Sequence, residues 1–273
     1  MHGKEKVLAP LFEKYFGAEL LVPTGLDTDK YGTFSGEVKR ASDIQSVLRA
    51  KAKEGAELLG LSYALASEGS FNSHPWIPIV GSNQENLLFL DLKNQIEIGA
   101  KVVSTQSRAE FIEASTTADI IKFCEQVNCG PQGLIVKPQH DTSELKWIHK
   151  GLTTVDQVLD AFAKIKKELK LDKVWIETDN RAHLNPKRQS VIFEAGQKLI
   201  DMILSLCPGC QCPGFGMVDF IKGLQCRDCG YKSDKAIKEI WACPSSSCDY
   251  KEERGRLDGI QDLDPAFCDW CNP

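Results

Sequence analysis

Apolar residues recur at helical spacing in several stretches of the chain, separated by shorter apolar runs typical of strands. Residues 4–16 place apolar side chains three and four positions apart, which predicts a helix. The run 18–22 predicts a short buried strand. The stretch 23–40 is rich in glycine, threonine and aspartate, and we expect it to form a long loop.

Capping signals mark the starts of later helices. Ser42 and Gln45 have the spacing of a capping box ahead of an apolar stripe that predicts a helix over 43–59, and Thr154 and Gln157 repeat that spacing. Strands are predicted at 63–66, 86–92, 97–104, 134–137, 147–150 and 174–178, and further helices at 109–127, 155–169 and 186–206. This mixed order predicts an α/β fold, a mixed sheet flanked by helices.

Cysteines are concentrated at the end of the chain, where residues 207–273 hold nine of the eleven. Eight of them form four close pairs: Cys207 with Cys210, Cys226 with Cys229, Cys243 with Cys248, and Cys268 with Cys271. Two such pairs deliver the four thiolates of a tetrahedral zinc site, so we expect two structural zinc ions in a tandem zinc-ribbon region. Order along the chain assigns the first two pairs to one site and the last two to the other.

A disulfide framework is the alternative use of so many cysteines, and it is typical of small secreted domains. The beginning of the sequence reads Met-His-Gly-Lys-Glu-Lys and shows no signal peptide, and no stretch approaches the ~20 apolar residues of a membrane span. We therefore expect a cytoplasmic protein without membrane contact, with reduced thiols. Cys212 is expected to be a spare thiol, and Cys124 and Cys129 small apolar residues.

Composition separates the chain into two regions. Residues 1–206 are apolar enough to build an α/β core, whereas 207–273 contain few aliphatic residues and depend on metal ligation. The second region holds eight lysines and arginines against eleven aspartates and glutamates. Its negative balance makes DNA an unlikely partner, so contact with a protein is favoured.

Two polar turns at predicted strand ends are candidate ligand sites of the core. Glu68 ends an apolar strand among small residues and has the position of a Mg²⁺ ligand beside a phosphate, or of an ordinary turn residue. The turn 177–188 gathers Arg181, His183 and Arg188 before a helix N-terminus, which favours an anion. A structural role for His183, and an ion pair of Arg188 with a nearby carboxylate, are the alternatives.

Sequence blocks along the whole chain resemble a bacterial family of uncharacterised proteins that ends in paired zinc knuckles. The blocks are His2–Lys6, Gly32–Glu37, Ala66–Phe71, His74–Trp76, Glu177–His183, Asn185–Pro186 and Cys268–Pro273. The resemblance implies the zinc sites but names no activity.

The first half of the chain is also similar to the inosine/xanthosine triphosphate pyrophosphatase-like fold. Lys4 to Lys6 open a helix, Lys53 lies on the next helix, and a strand then ends at Glu68. This resemblance implies that Lys6 and Lys53 contact phosphates and that Glu68 holds Mg²⁺. It implies further that Arg181, His183 and Arg188 lie near the base or phosphate.

Two functions are therefore expected. In the first, the core binds a phosphorylated small molecule, such as a nucleotide, and hydrolyses it with Mg²⁺, with Glu68 and Lys6 as catalytic residues. In the second, the core is catalytically silent and the zinc ribbons make the protein an adapter for a protein or ribonucleoprotein.

Overall fold

The structure is a computed structural model that describes residues 3–26, 31 and 43–273. Its helices are α1 Lys4–Phe16, α2 Ile44–Leu59, α3 Thr117–Val127, α4 Val155–Leu169 and α5 Pro186–Leu204. Its strands are β1 Tyr63–Ser73, β2 Gly81–Asp91, β3 Ile96–Ser104, β4 Phe111–Ala114, β5 Leu134–Lys137, β6 His149–Leu152, β7 Val174–Thr178, β8 Gly216–Lys222, β9 Ala236–Ala242 and β10 Lys251–Gly255. The α/β class expected from the sequence is confirmed.

The described strands form three sheets, ordered β1–β2–β3, β4–β7–β5–β6 and β10–β9–β8. The chain divides into two compact units. The first unit comprises Met1–Phe89 and Gly99–Ile200, and the second comprises Leu90–Ile98 and Asp201–Pro273. The cysteine pattern does not indicate that Leu90–Ile98 belongs with the second unit. Gly214 of the second unit packs closely on this segment. Its φ is +92°, and a Cβ atom there would lie 2.8 Å from the Ile98 side chain.

The four-stranded sheet of the first unit pairs its strands antiparallel and buries one face under α3 and α4. Leu134 pairs with Thr178, and Ala114 with Val174. The buried core here contains Ala114, Ile120, Phe123, Cys124, Val127, Leu134, Val136, Val158, Ala161, Phe162, Ile165, Val174 and Ile176. Cys124 is therefore one of the small apolar residues of this core, as expected, and burial raises the pKa of its thiol to about 12.

Two helix starts show how capping operates in this chain. The Thr154 hydroxyl accepts from the Gln157 backbone N–H at 3.3 Å, and the Gln157 side chain accepts from the Thr154 N–H at 3.2 Å, so the expected capping box is confirmed. Asp43 is the N-cap of α2, and its carboxylate accepts from the Gln45 N–H at 3.0 Å. Ser42, the cap expected there, lies outside the described residues, as does most of the expected loop.

Two predicted elements were wrong. Residues 18–22 form no strand, and Leu21 and Val22 are exposed, because an apolar run becomes a strand only where another strand pairs with it. The stretch 109–127 is not one helix. Thr116 caps α3 in a capping box with Asp119, and the four residues of β4 before it pair with β7 instead.

The first unit also contains a close contact between α1 and α5. A Cβ atom on Gly196 would lie 2.7 Å from the side chains of Leu8 and Leu11, closer than real Cβ contacts allow. Glycine at this position lets the two helices approach. No helix among the described residues has the length and apolar character needed to cross a membrane.

Two helical glycines allow a matched test of that contact. We expect Gly196→Ala to lower the free energy of unfolding by about 1–3 kcal/mol, since overpacking outweighs the helix-propensity gain of alanine. Gly55→Ala in α2 meets only ordinary contacts at 3.7 and 3.9 Å. It should raise the free energy of unfolding by up to about 1 kcal/mol. Urea denaturation followed by circular dichroism measures both, and stabilisation by both substitutions would contradict the proposed close contact.

Candidate metal centres and the core ion cluster

The eight paired cysteines of the second unit come together as two groups of four. The first tetrad is Cys207, Cys210, Cys243 and Cys248, and the second tetrad is Cys226, Cys229, Cys268 and Cys271. Within each tetrad the sulfur atoms all lie within 4.8 Å of one another. The thiols form no disulfide, so each tetrad presents four sulfur ligands to one point.

The sulfur–sulfur distances fit a tetrahedral zinc ion. Zinc–sulfur bonds of about 2.3 Å at tetrahedral angles place neighbouring sulfur atoms about 3.8 Å apart. The first tetrad has distances of 3.9 Å between Cys207 and Cys248 and 3.6 Å between Cys210 and Cys243. The second has 3.8 Å between Cys226 and Cys271 and 3.7 Å between Cys229 and Cys268. Both groups could therefore hold a metal ion of this size.

The assignment of cysteines to sites by their order along the chain was wrong. The first pair of the region joins the third, and the second pair joins the fourth, so the two sites are interleaved. Pairing of distant strands is the physical reason. In the antiparallel sheet Gly216 of β8 lies opposite Ala242 of β9, which brings the chain around Cys210 next to Cys243. Short spacing shows which cysteines form a pair, but not which pairs share an ion.

A separate backbone contact builds the second tetrad. Cys226 forms a parallel bridge with Leu263, in which the Leu263 N–H donates to Gln225 O at 2.8 Å and the Arg227 N–H donates to Leu263 O at 3.0 Å. Leu224 and Leu263 are buried with Cys226 and Cys268 in a small apolar cluster. Leu224 and Leu263, which precede the two cysteine pairs of the second tetrad, therefore help to bring those pairs together.

In one cysteine pair of each tetrad, backbone N–H groups favour the thiolate form of the first cysteine. Burial works to raise the pKa of Cys207, but the N–H groups of Cys210 and Gly209 outweigh it and lower the pKa to about 7. The N–H of Cys229 has the largest effect on Cys226 and lowers its pKa to about 7 as well. Metals bind thiolates, so this geometry prepares both sites for ligation.

Aromatic side chains support the first tetrad in place of an aliphatic core. Phe215 is buried, with its ring centroid 5.9 Å from Trp241 and 5.7 Å from Tyr250. The Arg254 guanidinium lies 4.0 Å from the Trp241 ring centroid, a cation–π contact. Cys212 stands outside both tetrads, and its thiol donates to Pro213 O at 3.4 Å.

The first unit contains a buried set of three charges, which we call the core ion cluster: Lys4, Glu85 and Arg188. Arg188 Nε donates to Glu85 Oε1 at 2.6 Å, and Lys4 Nζ lies 3.2 Å from Glu85 Oε2. The side chains of Glu85 and Arg188 are 0% exposed, and that of Lys4 is 16% exposed. Breaking such a buried pair leaves an uncompensated charge and costs about 3–5 kcal/mol.

Strand β1 separates this cluster from a second ion pair. A Cβ atom on Gly69 would lie closer than 3.0 Å to both Arg188 and Glu85, so the Gly69 position faces the cluster. Glu68 precedes it in the strand and pairs with Lys51 of α2, as expected for neighbours that point to opposite faces. The Glu68 charge nevertheless acts on Lys4, where it favours the protonated amine.

Burial and neighbouring charges shift two pKa values in the cluster. Burial lowers the pKa of Lys4 from 10.5 to about 8, although Glu85 opposes that shift. Burial alone would raise the pKa of Glu85. The positive charges of Lys4 and Arg188 together have the larger effect and lower this pKa to about 2. Glu85 is therefore ionised throughout the physiological pH range. The Lys4 amine begins to lose its proton near the upper end of that pH range.

The residues predicted from the sequence occupy different environments. Glu68 and Arg188 lie on the two sides of β1, and Lys6, Lys53 and His183 are exposed. Arg181 binds the buried Asp179 carboxylate through its Nε at 2.9 and 3.1 Å. These observations do not test the predicted roles, but they show which cations are buried.

Three buried charges were missed: Lys4, Lys51 and Glu85. The apolar pattern of the two helices contained the signal for the lysines. Lys4 lies one turn before the buried Leu8, and Lys51 lies four residues after Val47, so both belong to the buried helix faces. Glu85 alternates with the buried Leu87 and Asn83 on one face of β2.

Fold and sites together define an α/β protein with two four-cysteine groups in its second unit, each of which could hold a metal ion. The chain belongs to the family described as Domain of unknown function (DUF6671), whose model matches residues 51–273. No curated protein and no solved structure matches it significantly. The likeness to the inosine/xanthosine triphosphate pyrophosphatase-like fold therefore stays a prediction.

Paired substitutions distinguish interleaved from sequential metal sites. We expect Cys210→Ser with Cys243→Ser to leave one metal equivalent per chain, because both residues belong to the first tetrad. Cys210→Ser with Cys226→Ser removes one ligand from each tetrad and should leave close to none. Native mass spectrometry of protein refolded with zinc counts the ions. If Cys210→Ser with Cys243→Ser leaves no metal and Cys210→Ser with Cys226→Ser leaves one equivalent, the sites follow the order of the pairs along the chain instead.

The Lys4 pKa predicts how stability changes at alkaline pH. Between pH 8 and 10.5 the unfolded chain binds the Lys4 proton and the folded chain releases it, so folding becomes more favourable as the pH rises. We expect this contribution to be up to about 3 kcal/mol. Lys4→Met should remove it, and Lys6→Met, on the exposed side of α1, should not. Equal pH slopes for both variants in urea denaturation would contradict the depressed pKa.

Proposed function

We propose that the first unit binds a phosphorylated small molecule, with a nucleotide as the favoured class, at the core ion cluster. We propose also that the two tetrads hold structural zinc ions. The observation that carries the ligand proposal is the charge of the cluster. Two cations share one carboxylate, so the three ionised groups together carry one net positive charge in a buried place. A bound anion would offset that charge.

Helix geometry adds to this positive potential. Lys4 is the first residue of α1, and Arg188 lies in the first turn of α5. The N-terminal end of a helix is the positive end of its dipole and presents backbone N–H groups, both of which favour phosphate. Two such ends meet at Glu85, and a Cβ atom on Gly3 would lie 3.2 Å from His183 Cβ.

Buried polar atoms near the cluster favour a ligand with hydrogen-bonding groups besides its phosphate. Asn83 Nδ2 donates to Glu85 Oε1 at 3.0 Å, but Asn83 Oδ1 and Ser70 Oγ are buried without a hydrogen-bond partner among the described residues. A buried polar group without a partner costs free energy. Hydroxyl or amino groups of a nucleotide sugar or base would satisfy both atoms.

Hydrolysis with Mg²⁺ is the further part of the proposal. A phosphate chain that extends from the core ion cluster past β1 would reach Glu68, which would be the carboxylate ligand of a phosphate-bound Mg²⁺, and Lys51, which now pairs with Glu68, would contact a phosphate oxygen. Lys4 takes the phosphate-binding role that the sequence suggested for Lys6, because Lys4 is the buried cation of α1. Arg188 and Lys4 would offset the charge that develops on the phosphoryl oxygens.

Binding and turnover are measured separately. Pyrophosphate and nucleoside mono-, di- and triphosphates are titrated by calorimetry, and Lys4→Met should weaken binding by about tenfold or more, the value of a charge-assisted hydrogen bond. Lys6→Met is the matched control and should bind like the natural chain. Phosphate release should require Mg²⁺ and disappear in Glu68→Gln. Binding without turnover would reject the enzyme, and no binding across the panel would reject the ligand site.

An adapter role is the second candidate, and exposed apolar side chains of the second unit favour it. Met217, Val218 and Phe220 of β8, together with Phe267 and Trp270 near the second tetrad, are all exposed. Met217, Val218 and Phe220 lie within four residues of one strand, and exposed apolar side chains so close together are typical of surfaces that meet a protein partner. A cytoplasmic location belongs to both proposals, since the thiols must stay reduced to hold zinc.

A further inference from the structure

The two edges of the sheet in the second unit differ in their side chains. In the described residues this sheet has the order β10–β9–β8, so β10 and β8 are its edge strands. Edge strands present unpaired backbone groups to other chains, and proteins protect them with charged side chains. A comparison of the two edges shows which of them is protected.

Strand β10 is protected by charge. Its sequence is Lys251-Glu-Glu-Arg-Gly255, and every residue with a side chain is charged. Glu253 pairs with Lys238 of β9 at 2.8 Å, and Arg254 pairs with Glu252. A second strand could approach this edge only by crowding or displacing these ion pairs.

Strand β8 lacks this protection. Met217 is 55% exposed, Val218 is 63% exposed and Phe220 is 44% exposed, and Asp219 is the one charged residue between them. The register shifts between Met217 and Asp219, so Val218 has no residue opposite it on β9. A bulge of this kind leaves a residue without its ladder partner. The bulge faces β9, and no described strand pairs with the other side of β8, so these exposed apolar side chains lie on an open edge strand.

Charge indicates what kind of strand fits this edge. Residues 207–273 contain eight lysines and arginines and eleven aspartates and glutamates, which gives a net charge of 8 − 11 = −3. Each zinc ion held by four thiolates adds a formal charge of about −2. A basic segment is therefore attracted to the second unit, and an acidic one is repelled.

We propose that β8 binds an extended, basic segment of a partner protein by strand addition to its open edge. Backbone hydrogen bonds would supply the pairing, alternate apolar side chains of the segment would contact Met217 or Phe220, and its lysines or arginines would meet the acidic surroundings. The inference rests on the adapter role and is independent of the ligand site in the first unit.

Defined peptides test the inference on the zinc-loaded full chain. The probe is an eight-residue peptide of alternating lysine and valine. One control replaces its lysines by glutamates, and another places a proline in the middle, which removes a donor that strand pairing needs. We expect the lysine peptide alone to bind in fluorescence anisotropy and to shift the backbone amide signals of β8 in nuclear magnetic resonance.

Two variants with the same added charge separate the edge from net charge. Val218→Lys places a charge on the open edge and should weaken binding about tenfold. Ile237→Lys places it on the central strand β9 at a residue that is also exposed, and it should change binding less than about twofold. Zinc content and the circular dichroism spectrum show whether Val218→Lys is folded. If it is not, Met217→Lys takes its place.

Each other outcome overturns the inference in a distinct way. Equal weakening by both lysine variants, or equal binding of all three peptides, would show attraction by charge without strand pairing. Amide shifts elsewhere in the second unit would leave the adapter role standing and reject β8 as its site. If no peptide binds, the edge proposal fails, and a pull-down with the zinc-loaded full chain then decides the adapter role separately: capture of no partner rejects it.

Discussion

The gathering of eight cysteine thiols into two interleaved groups of four is the constraint on which the second unit depends. Its sheet is small, and much of the apolar surface of β8 is exposed. Two zinc ions, each joining two distant segments, would replace the missing core, since structural zinc contributes about 10–16 kcal/mol to folding. The first tetrad depends on the pairing of β8 with β9, and the second depends on the bridge between Cys226 and Leu263. Metal binding is therefore coupled to backbone pairing at both sites.

The first unit differs from the second because it has a large apolar core and also contains buried charges. Its core is apolar, and the buried charges at Lys4, Glu85 and Arg188 are a cost that stability alone does not require. Buried charge of this kind, with a depressed amine pKa, is often found where a protein binds a charged ligand. Gly69, which leaves room for the guanidinium and the carboxylate, shows that the backbone is fitted to the cluster.

Local patterns predicted most of the helices and the cysteine pairs, but distant pairing decided the rest. The Thr154 cap and the helix beginning at Pro186 follow from neighbouring residues alone. Whether 111–114 joins a helix or pairs with β7 depends on residues 60 or more positions away, and the partner of each cysteine pair lies 33 to 45 positions away. Glu85 was missed because a glutamate in a strand gives no local sign of the two cations that bury it.

X-ray absorption spectroscopy at the zinc edge, combined with elemental analysis, tests the central claim most directly. On full-length protein purified without chelator under reducing conditions, the account predicts two zinc ions per chain, each with four sulfur neighbours at about 2.3 Å. Fewer than one zinc ion per chain, or nitrogen and oxygen in the first coordination sphere, would contradict it.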